Sequence, residues 1–246
     1  YYKKEIPKLF LFNQVVGLSD LFNARHGTIS SSWERYGTWK GINTENDFSK
    51  EAEELEVLAK GLFNKERFLD VLQHFTIFEA DSDGEAVTYT KKMCMYHQYY
   101  GVNKTITSTI RAILGEQDRK IGVFWHTQGS GKSLSIVFYV NKTKNIPELK
   151  SPAYVFLTDR EDLDDQLFKT FSRTGYCTLA KKASSIRDLR ARLSHLGSEL
   201  IFTTIQKFQE DPDAQNALTE RDNIIVLADE AHRTQYSNLA GNVRLA

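Results

Sequence analysis

Apolar residues recur at helical spacing in several stretches of the chain. Residues 49 to 75 have apolar side chains every three or four positions, which is typical of a helix with one buried face. The same spacing predicts helices over residues 95 to 114 and 132 to 144. Two more helices are expected, one starting at about Glu161 and one in the segment SSIRDLRARL.

Short apolar runs alternate with these helices in the second half of the chain. The runs are IGVFWHT, AYVFLTD, LIFTTI and IIVLADEAH. Strand-like runs separated by helices predict a parallel sheet with helices on both faces, hence an α/β fold. Before them, residues 1 to 45 mix short apolar runs with turn residues. We expect two strands joined by a turn within LFLFNQVVGLSD and LFNARHGTIS.

The stretch FEADSDGEA, from Phe78 to Ala86, is acidic and rich in turn residues. Its acids suggest calcium binding, but an EF-hand loop requires glycine at its sixth position and a late glutamate. Gly84 is only the fourth residue counted from Asp81. We therefore interpret the stretch as a solvated loop at a domain boundary.

Composition restricts the possible partners and the compartment. The 246 residues carry 32 basic and 32 acidic side chains, so no net charge draws the chain to nucleic acid, and any such contact must be local. The two cysteines lack the spacing of a zinc site, and a disulfide framework is not expected. No apolar run approaches the length of a membrane span. These observations favour a cytoplasmic protein without a membrane partner.

The segment WHTQGSGKSLS, residues 125 to 135, has the pattern of a phosphate-binding loop. Glycines leave the backbone N–H groups free to surround phosphates, while a lysine reaches the terminal phosphates and a hydroxyl binds Mg²⁺. His126 stands where the usual pattern begins with glycine, but the later glycines are intact. The alternative is a glycine-rich turn before a helix. The predicted nucleotide-binding residues are Thr127, Gln128, Gly129, Ser130, Gly131, Lys132 and Ser133, with Ser133 also on the metal.

A second candidate feature is the strand that ends in Asp229 and Glu230. Ligands bind at the carboxyl edge of parallel sheets, so these acids are expected at a ligand site. We predict that Asp229 helps to hold Mg²⁺ and that Glu230 orients and deprotonates an attacking water. With Lys132, Glu230 forms the predicted catalytic pair of an ATP hydrolysis site.

Residues Asp229 to His232 spell DEAH, which resembles the box of superfamily-two helicases and translocases. The combination WHTQGSGKS, LTDREDLDDQL and DEAHRTQY is most similar to the motor (R) subunit of type I restriction endonucleases. Upstream, WERYGTWKG resembles the end of that subunit's nuclease domain. The resemblance implies a RecA-like ATP-binding lobe over residues 81 to 246, preceded by the C-terminal part of a mixed α/β nuclease-like domain over residues 1 to 80. It places the nuclease acids before Tyr1 and a second lobe with an arginine finger after Ala246.

The resemblance also assigns roles to individual residues. Gln98 would read adenine, or else be a polar residue on an amphipathic helix. His232 would couple hydrolysis to movement. Thr158, Asp159 and Arg160 would face a DNA strand, or else Asp159 would cap the next helix. Thr203, Thr204 and Gln206 would contact DNA phosphates, or else form a buried strand end. The basic stretch from Lys181 to Arg192 would contact phosphate, or else be solvated.

The function implied is ATP-dependent translocation on double-stranded DNA, coupled to endonucleolytic cleavage of foreign DNA. ATP and Mg²⁺ are the implied cofactors, and the methyltransferase and specificity subunits of a restriction-modification complex are the implied partners. DNA binding by this part alone is expected to be weak, independent of sequence and sensitive to salt. Two alternatives are another superfamily-two DNA or RNA helicase and a non-hydrolysing nucleotide-binding docking module. Glu230 argues against the latter.

Overall fold

The computed structural model describes residues 2–20, 22–45, 47, 53–83, 86–127, 129–158, 161–176, 179–195, 197–209 and 219–229. The chain divides into two compact units, Tyr1–Lys142 and Thr143–Ala246. The boundary that the sequence predicts between residues 80 and 81 falls instead within a strand of the first unit. The assignment of functional domains stays a prediction.

The first unit contains two antiparallel strand pairs and most of the helices. Strands β1 and β2 pair with each other, and β3 pairs with β4 along its whole length. Short 3-10 turns cover Pro7–Phe10 and Trp33–Arg35, and a wide π turn covers Leu58–Leu62. The elements are α1 (Tyr2–Glu5), β1 (Val16–Ser19), β2 (Ala24–Gly27), α2 (Glu54–Val57), α3 (Lys65–His74), β3 (Thr76–Asp83), β4 (Ala86–Met93), α4 (Tyr96–Ile113) and α5 (Lys132–Thr143).

A cluster of aromatic rings forms the core of the first unit. The Trp39 ring is fully buried and lies 5.5 Å from the ring of Tyr96 and 5.6 Å from that of Tyr99, both on α4. Phe75, at the end of α3, lies 4.9 Å from Tyr99 and 5.7 Å from Phe138 of α5. Buried aromatic rings contribute both apolar area and favourable edge contacts. The cluster therefore fastens α4 to the segment around Trp39 and to α3.

The hairpin β3–β4 corrects the interpretation of Phe78–Ala86 as a loop. Ladder pairs run from Thr76 opposite Met93 to Asp83 opposite Ala86. Its acidic residues do not prevent pairing, because a two-stranded hairpin exposes much of its surface and Glu79 forms an ion pair with Lys92 across the strands. Paired strand therefore replaces the predicted loop from Phe78 to Asp83 and at Ala86, and residues 84 and 85 lie outside the described part of the chain.

The second unit is a parallel sheet with helices on both faces, as the sequence predicted. Its strand order is β6-β7-β5-β8. The elements are β5 (Ala153–Thr158), α6 (Glu161–Phe171), β6 (Ala180–Lys182), α7 (Ile186–Leu193), β7 (Leu200–Thr204) and β8 (Ile224–Ala228). β6 was not predicted, since three residues ending in two lysines give little apolar signal.

Alternation along the strands explains how this sheet is covered. Phe156 of β5 stacks on Phe202 of β7 at 4.5 Å, and both rings contact Phe171 of α6. The intervening positions face the other way, where Leu157 and Leu189 of α7 belong to one buried cluster. All six residues of β5 are buried, as expected for a strand inside a two-sided sheet.

The structure has no strand at residues 121 to 127, where the apolar run IGVFWHT predicted one. Val123 and Trp125 are 88% and 84% exposed, whereas the Phe124 ring packs into the space left by Gly101 of α4. A strand requires a partner for its N–H and C=O groups, and an apolar run does not supply one by itself.

Among the described residues, no helix combines the length and apolarity that crossing a membrane requires.

Candidate nucleotide-binding site

The loop before α5 has the backbone conformation that phosphate binding requires. Gly129 and Gly131 have φ angles of 80° and 84°, in the left-handed region that favours glycine. Between them, Ser130 closes a tight turn, because its N–H and its hydroxyl both donate to the carbonyl of Thr127, at 3.2 and 2.6 Å. A side chain at Gly131 would also come within 2.8 Å of the Gln98 amide nitrogen. Both glycines are thus needed where the sequence pattern places them.

Helix α5 begins at Lys132, directly after the second left-handed glycine. The first N–H groups of a helix have no partner within it and carry partial positive charge, so they bind anions. Lys132 is half-buried and makes no ion pair with any residue the structure describes, and Ser133 follows it on the first turn. These donors fit a triphosphate with its Mg²⁺, the lysine toward the phosphates and the hydroxyl toward the metal.

Two residues at the start of α4 hold the loop in place. The Nε2 atom of His97 lies 3.1 Å from the carbonyl oxygen of Ser130. The amide nitrogen of Gln98 donates to the carbonyl of Gly131 at 3.0 Å, and its oxygen accepts from the N–H of Met95 at 2.8 Å. Gln98 is only 2% exposed. The structure therefore gives Gln98 a positioning contact that the sequence did not indicate, and its predicted role in reading adenine stays a prediction.

His126, the unusual residue of the motif, packs beside the loop. Its ring lies 4.4 Å from the Phe124 ring and 4.9 Å from the His97 ring. Burial lowers the pKa of His126 below 6.5, and the nearby His97 and Lys132 lower it further. His126 is therefore mainly neutral at neutral pH and adds no charge beside Lys132.

Asp229 follows β8 at the carboxyl edge of the parallel sheet, as predicted. Its N–H donates to the carbonyl of Leu157 at 2.9 Å, which extends the pairing with β5 by one bond. The other end of β8 is anchored by side chains. Arg221 donates to the carbonyls of His195, Ser151 and Gly197 at 2.8 to 2.9 Å, and Asn223 donates to that of Lys150 at 2.7 Å.

The remaining predicted residues differ in their surroundings. Thr158 is buried at the end of β5, and Thr203 and Thr204 are buried at the end of β7, while Gln206 is exposed. The predicted residues that lie outside the described part of the chain are Gln128, Asp159, Arg160, Glu230 and His232. The roles of all these residues stay predictions.

The basic stretch near α7 is partly neutralised by acids of its own unit. Lys182 forms ion pairs with Asp165 and, at 3.4 Å, with Asp164. Arg192 lies 3.0 Å from Asp188 on the same helix. These pairs leave fewer charges for a phosphate backbone than the sequence suggested.

Comparison with known proteins gives one family match and several relatives. Residues 97–246 match the model of the SWI2/SNF2 ATPase family. The chain is 45% identical over 244 residues to the type I restriction enzyme HindI endonuclease subunit of Haemophilus influenzae, covering 96% of this chain and 23% of the relative. It is 36% identical over 264 residues to the putative type I restriction enzyme MjaIXP endonuclease subunit of Methanocaldococcus jannaschii, covering 99% of this chain and 24% of the relative. The chain thus spans about a quarter of these relatives, and the resemblance to type I motor subunits is confirmed.

Proposed function

Because the chain belongs to the SWI2/SNF2 ATPase family, we propose that its phosphate loop binds magnesium–ATP and that the whole protein uses ATP hydrolysis to move double-stranded DNA. The observation that carries this proposal is the pair of left-handed glycines followed at once by α5, with Lys132 and Ser133 on its first turn. A glycine-rich turn of no function would not require this order of residues. The rest of the proposal is supported by motifs and relatives.

The residues divide the work of hydrolysis among them. Bound magnesium–ATP supplies the phosphorus that water attacks and the free energy that drives movement. The N–H groups of the loop bind phosphate oxygens, Lys132 neutralises their charge, and Ser133 and Asp229 hold the metal. Glu230 orients the water and accepts its proton.

We further propose that the whole protein is the R subunit of a type I restriction enzyme, which couples translocation to cleavage of foreign DNA. The two relatives are endonuclease subunits of such enzymes, and the HindI subunit is similar along 96% of this chain. Methyltransferase and specificity subunits are then its partners. Within the chain, residues 1–80 belong to the end of a nuclease-like domain and residues 81–246 to the first motor lobe.

The experiment compares Lys132→Ala and Glu230→Gln in the full-length protein. Loss of a lysine that binds two phosphates costs about 3 kcal/mol, so Lys132→Ala should weaken magnesium–ATP binding by roughly a hundredfold or more. Glu230→Gln should keep the binding and lose DNA-stimulated phosphate release. Calorimetry measures the first effect, and a phosphate-release assay measures the second.

Lys60→Ala is the matched control, since Lys60 is an exposed lysine of the same unit whose one ion pair among the described residues is with Glu56. It should change neither measurement. ATP binding by Lys132→Ala at the affinity of the unchanged protein would contradict the proposed site. Phosphate release at an unchanged rate by Glu230→Gln would remove Glu230 from the mechanism.

A further inference from the structure

The side chain of His97 lies against the phosphate loop at the start of α4. It is exposed, and it lines the same cavity as Gly129, Ser130 and Gly131. Its Nε2 atom lies 3.1 Å from the carbonyl oxygen of Ser130. A carbonyl oxygen only accepts hydrogen bonds, so Nε2 carries the hydrogen of this contact, and Nδ1 is the atom that can take up a further proton. His97 can therefore keep its contact with the loop in both its neutral and its charged form.

His97, His126 and Lys132 form a group of three basic side chains at this loop. The rings of His97 and His126 lie 4.9 Å apart, edge to face. Burial lowers the pKa of His126, and the charges of His97 and Lys132 lower it further, so His126 stays neutral. Because His97 is exposed, its charged form remains in contact with water and avoids the penalty that burial imposes on His126. Of the two imidazoles, His97 is thus the one suited to carry a charge beside the loop.

The surroundings of His97 contain several cations but little negative charge. Apart from two tyrosines, the charged or titratable side chains that line the cavity with it are His26, Glu34, Arg35, Lys40, Lys92 and Cys94. Glu34 is the one acid among these described residues, and no ion pair joins it to His97. Lys92 is already paired with Glu79. Burial lowers the pKa of His26 to about 4 and raises that of Cys94, so neither carries a charge at neutral pH. An anion that favours a charged His97 must therefore come mainly from a ligand.

We propose that His97 is a second cation of the phosphate site, and that its Nδ1 takes up a proton from solvent when magnesium–ATP binds. The inference rests on the proposed function, because the loop must first bind the triphosphate. Magnesium–ATP keeps a net negative charge, and an imidazole beside a negative charge is more readily protonated. The complex then binds the proton more tightly than the free protein does, so the affinity for the nucleotide rises as the pH falls.

The test measures the magnesium–ATP affinity of the full-length protein by calorimetry at about pH 6.5 and about pH 8, a range in which imidazoles titrate. His97→Gln keeps a side chain that can donate to the carbonyl of Ser130 but cannot take up a proton. We expect the ratio of the affinity at the lower pH to that at the higher pH to be about threefold larger in the unchanged protein than in His97→Gln. Magnesium–tripolyphosphate should show the same difference, because the phosphates and not the nucleoside act on His97.

The control His195→Gln removes an exposed histidine of the second unit and should keep the ratio of the unchanged protein. As a second measurement, the heat of ATP binding in two buffers of different ionisation enthalpy gives the number of protons taken up. This number should be smaller in His97→Gln than in the unchanged protein.

The outcomes separate this inference from the proposed function. Equal ratios in the unchanged protein and in His97→Gln would overturn the inference, as would an equal uptake of protons by the two proteins. A difference seen with magnesium–ATP but not with magnesium–tripolyphosphate would also overturn it, because His97 would then respond to the nucleoside. Failure of the unchanged protein to bind either ligand at either pH would overturn the proposed function itself.

Discussion

Gln98, beside the phosphate loop, and Thr203, at the end of β7, are both polar side chains almost completely removed from solvent, at 2% and 0% exposure. Gln98 uses both ends of its amide, one toward Met95 and one toward Gly131. The hydroxyl of Thr203 has no hydrogen-bond partner among the described residues, and the same holds for Thr158 on the neighbouring strand. The buried amide of Gln98 is therefore hydrogen-bonded at both ends, whereas the buried hydroxyls of Thr203 and Thr158 have no partner among the described residues.

The comparison separates a loop whose hydrogen bonds are made within its own unit from strand ends whose hydroxyls find no partner among the described residues. The phosphate loop is set by its glycines, by the helix that follows and by one tether, all of which the first unit contains. The strand ends of the sheet carry hydroxyls whose partners are not among the described residues of their unit. An unpaired buried hydroxyl costs about 1–3 kcal/mol, so such groups lower stability unless something binds them.

The largest effect is expected from removing the tether. Gln98→Ala leaves the half-buried N–H of Met95 without its partner and removes the hydrogen bond to the carbonyl of Gly131, at a cost of about 2 kcal/mol. We expect tripolyphosphate affinity to fall roughly tenfold, and ATP affinity to fall further than GTP affinity if Gln98 also reads adenine. Calorimetry with the three ligands measures both. Unchanged tripolyphosphate affinity would show that the tether does not shape the loop.

An intermediate effect is expected at the two left-handed glycines. Gly129→Ala places a side chain in open space, so it costs only the backbone strain of about 1–2 kcal/mol. Gly131→Ala adds a close approach of 2.8 Å to Gln98 and should cost more. The free energy of unfolding in urea and the affinity for magnesium–ATP should both be lower for Gly131→Ala than for Gly129→Ala. The reverse order would mean that contact with Gln98 does not constrain Gly131.

The smallest effect is expected at the strand end. Thr203→Val removes an unpaired hydroxyl at nearly constant shape, so the free energy of unfolding should rise by up to about 1 kcal/mol. Thr143→Val is the matched control, because the buried Thr143 hydroxyl bonds to that of Tyr154 at 2.8 Å and its loss should destabilise by about 1 kcal/mol. Weaker DNA binding by Thr203→Val would favour the role that the family resemblance assigns to this residue.

The spacing of residues along the sequence was sufficient to predict those elements whose structure depends mainly on their own residues. Helices α4 and α5 follow from apolar residues every three or four positions, and the left-handed Gly129 and Gly131 follow from the loop pattern. Strands β5, β7 and β8 were also predicted, since their apolar runs are long and lie between helices.

The spacing of apolar residues did not predict the structure where pairing between separate segments determines it. The run at 121–127 is as apolar as β5 but has no strand beside it among the described residues, whereas the acidic β3 forms a strand because β4 pairs with it. The contact of Gln98 with Gly131 joins residues 33 positions apart, and no local pattern encodes it. His97, the residue before Gln98, also contacts the loop, at the carbonyl of Ser130.

The hydrogen bonds that Arg221 and Asn223 make at the start of β8 affect the position of Asp229 at its end. Side chains alternate between the two faces of a strand, so a slip of one residue would turn Asp229 to the opposite face of the sheet. Arg221 donates to three carbonyls of two loops and thereby helps to fix the register of β8. The five residues of β8 span about 17 Å. The backbone position of Asp229 thus depends on hydrogen bonds that Arg221 makes near the opposite end of the strand.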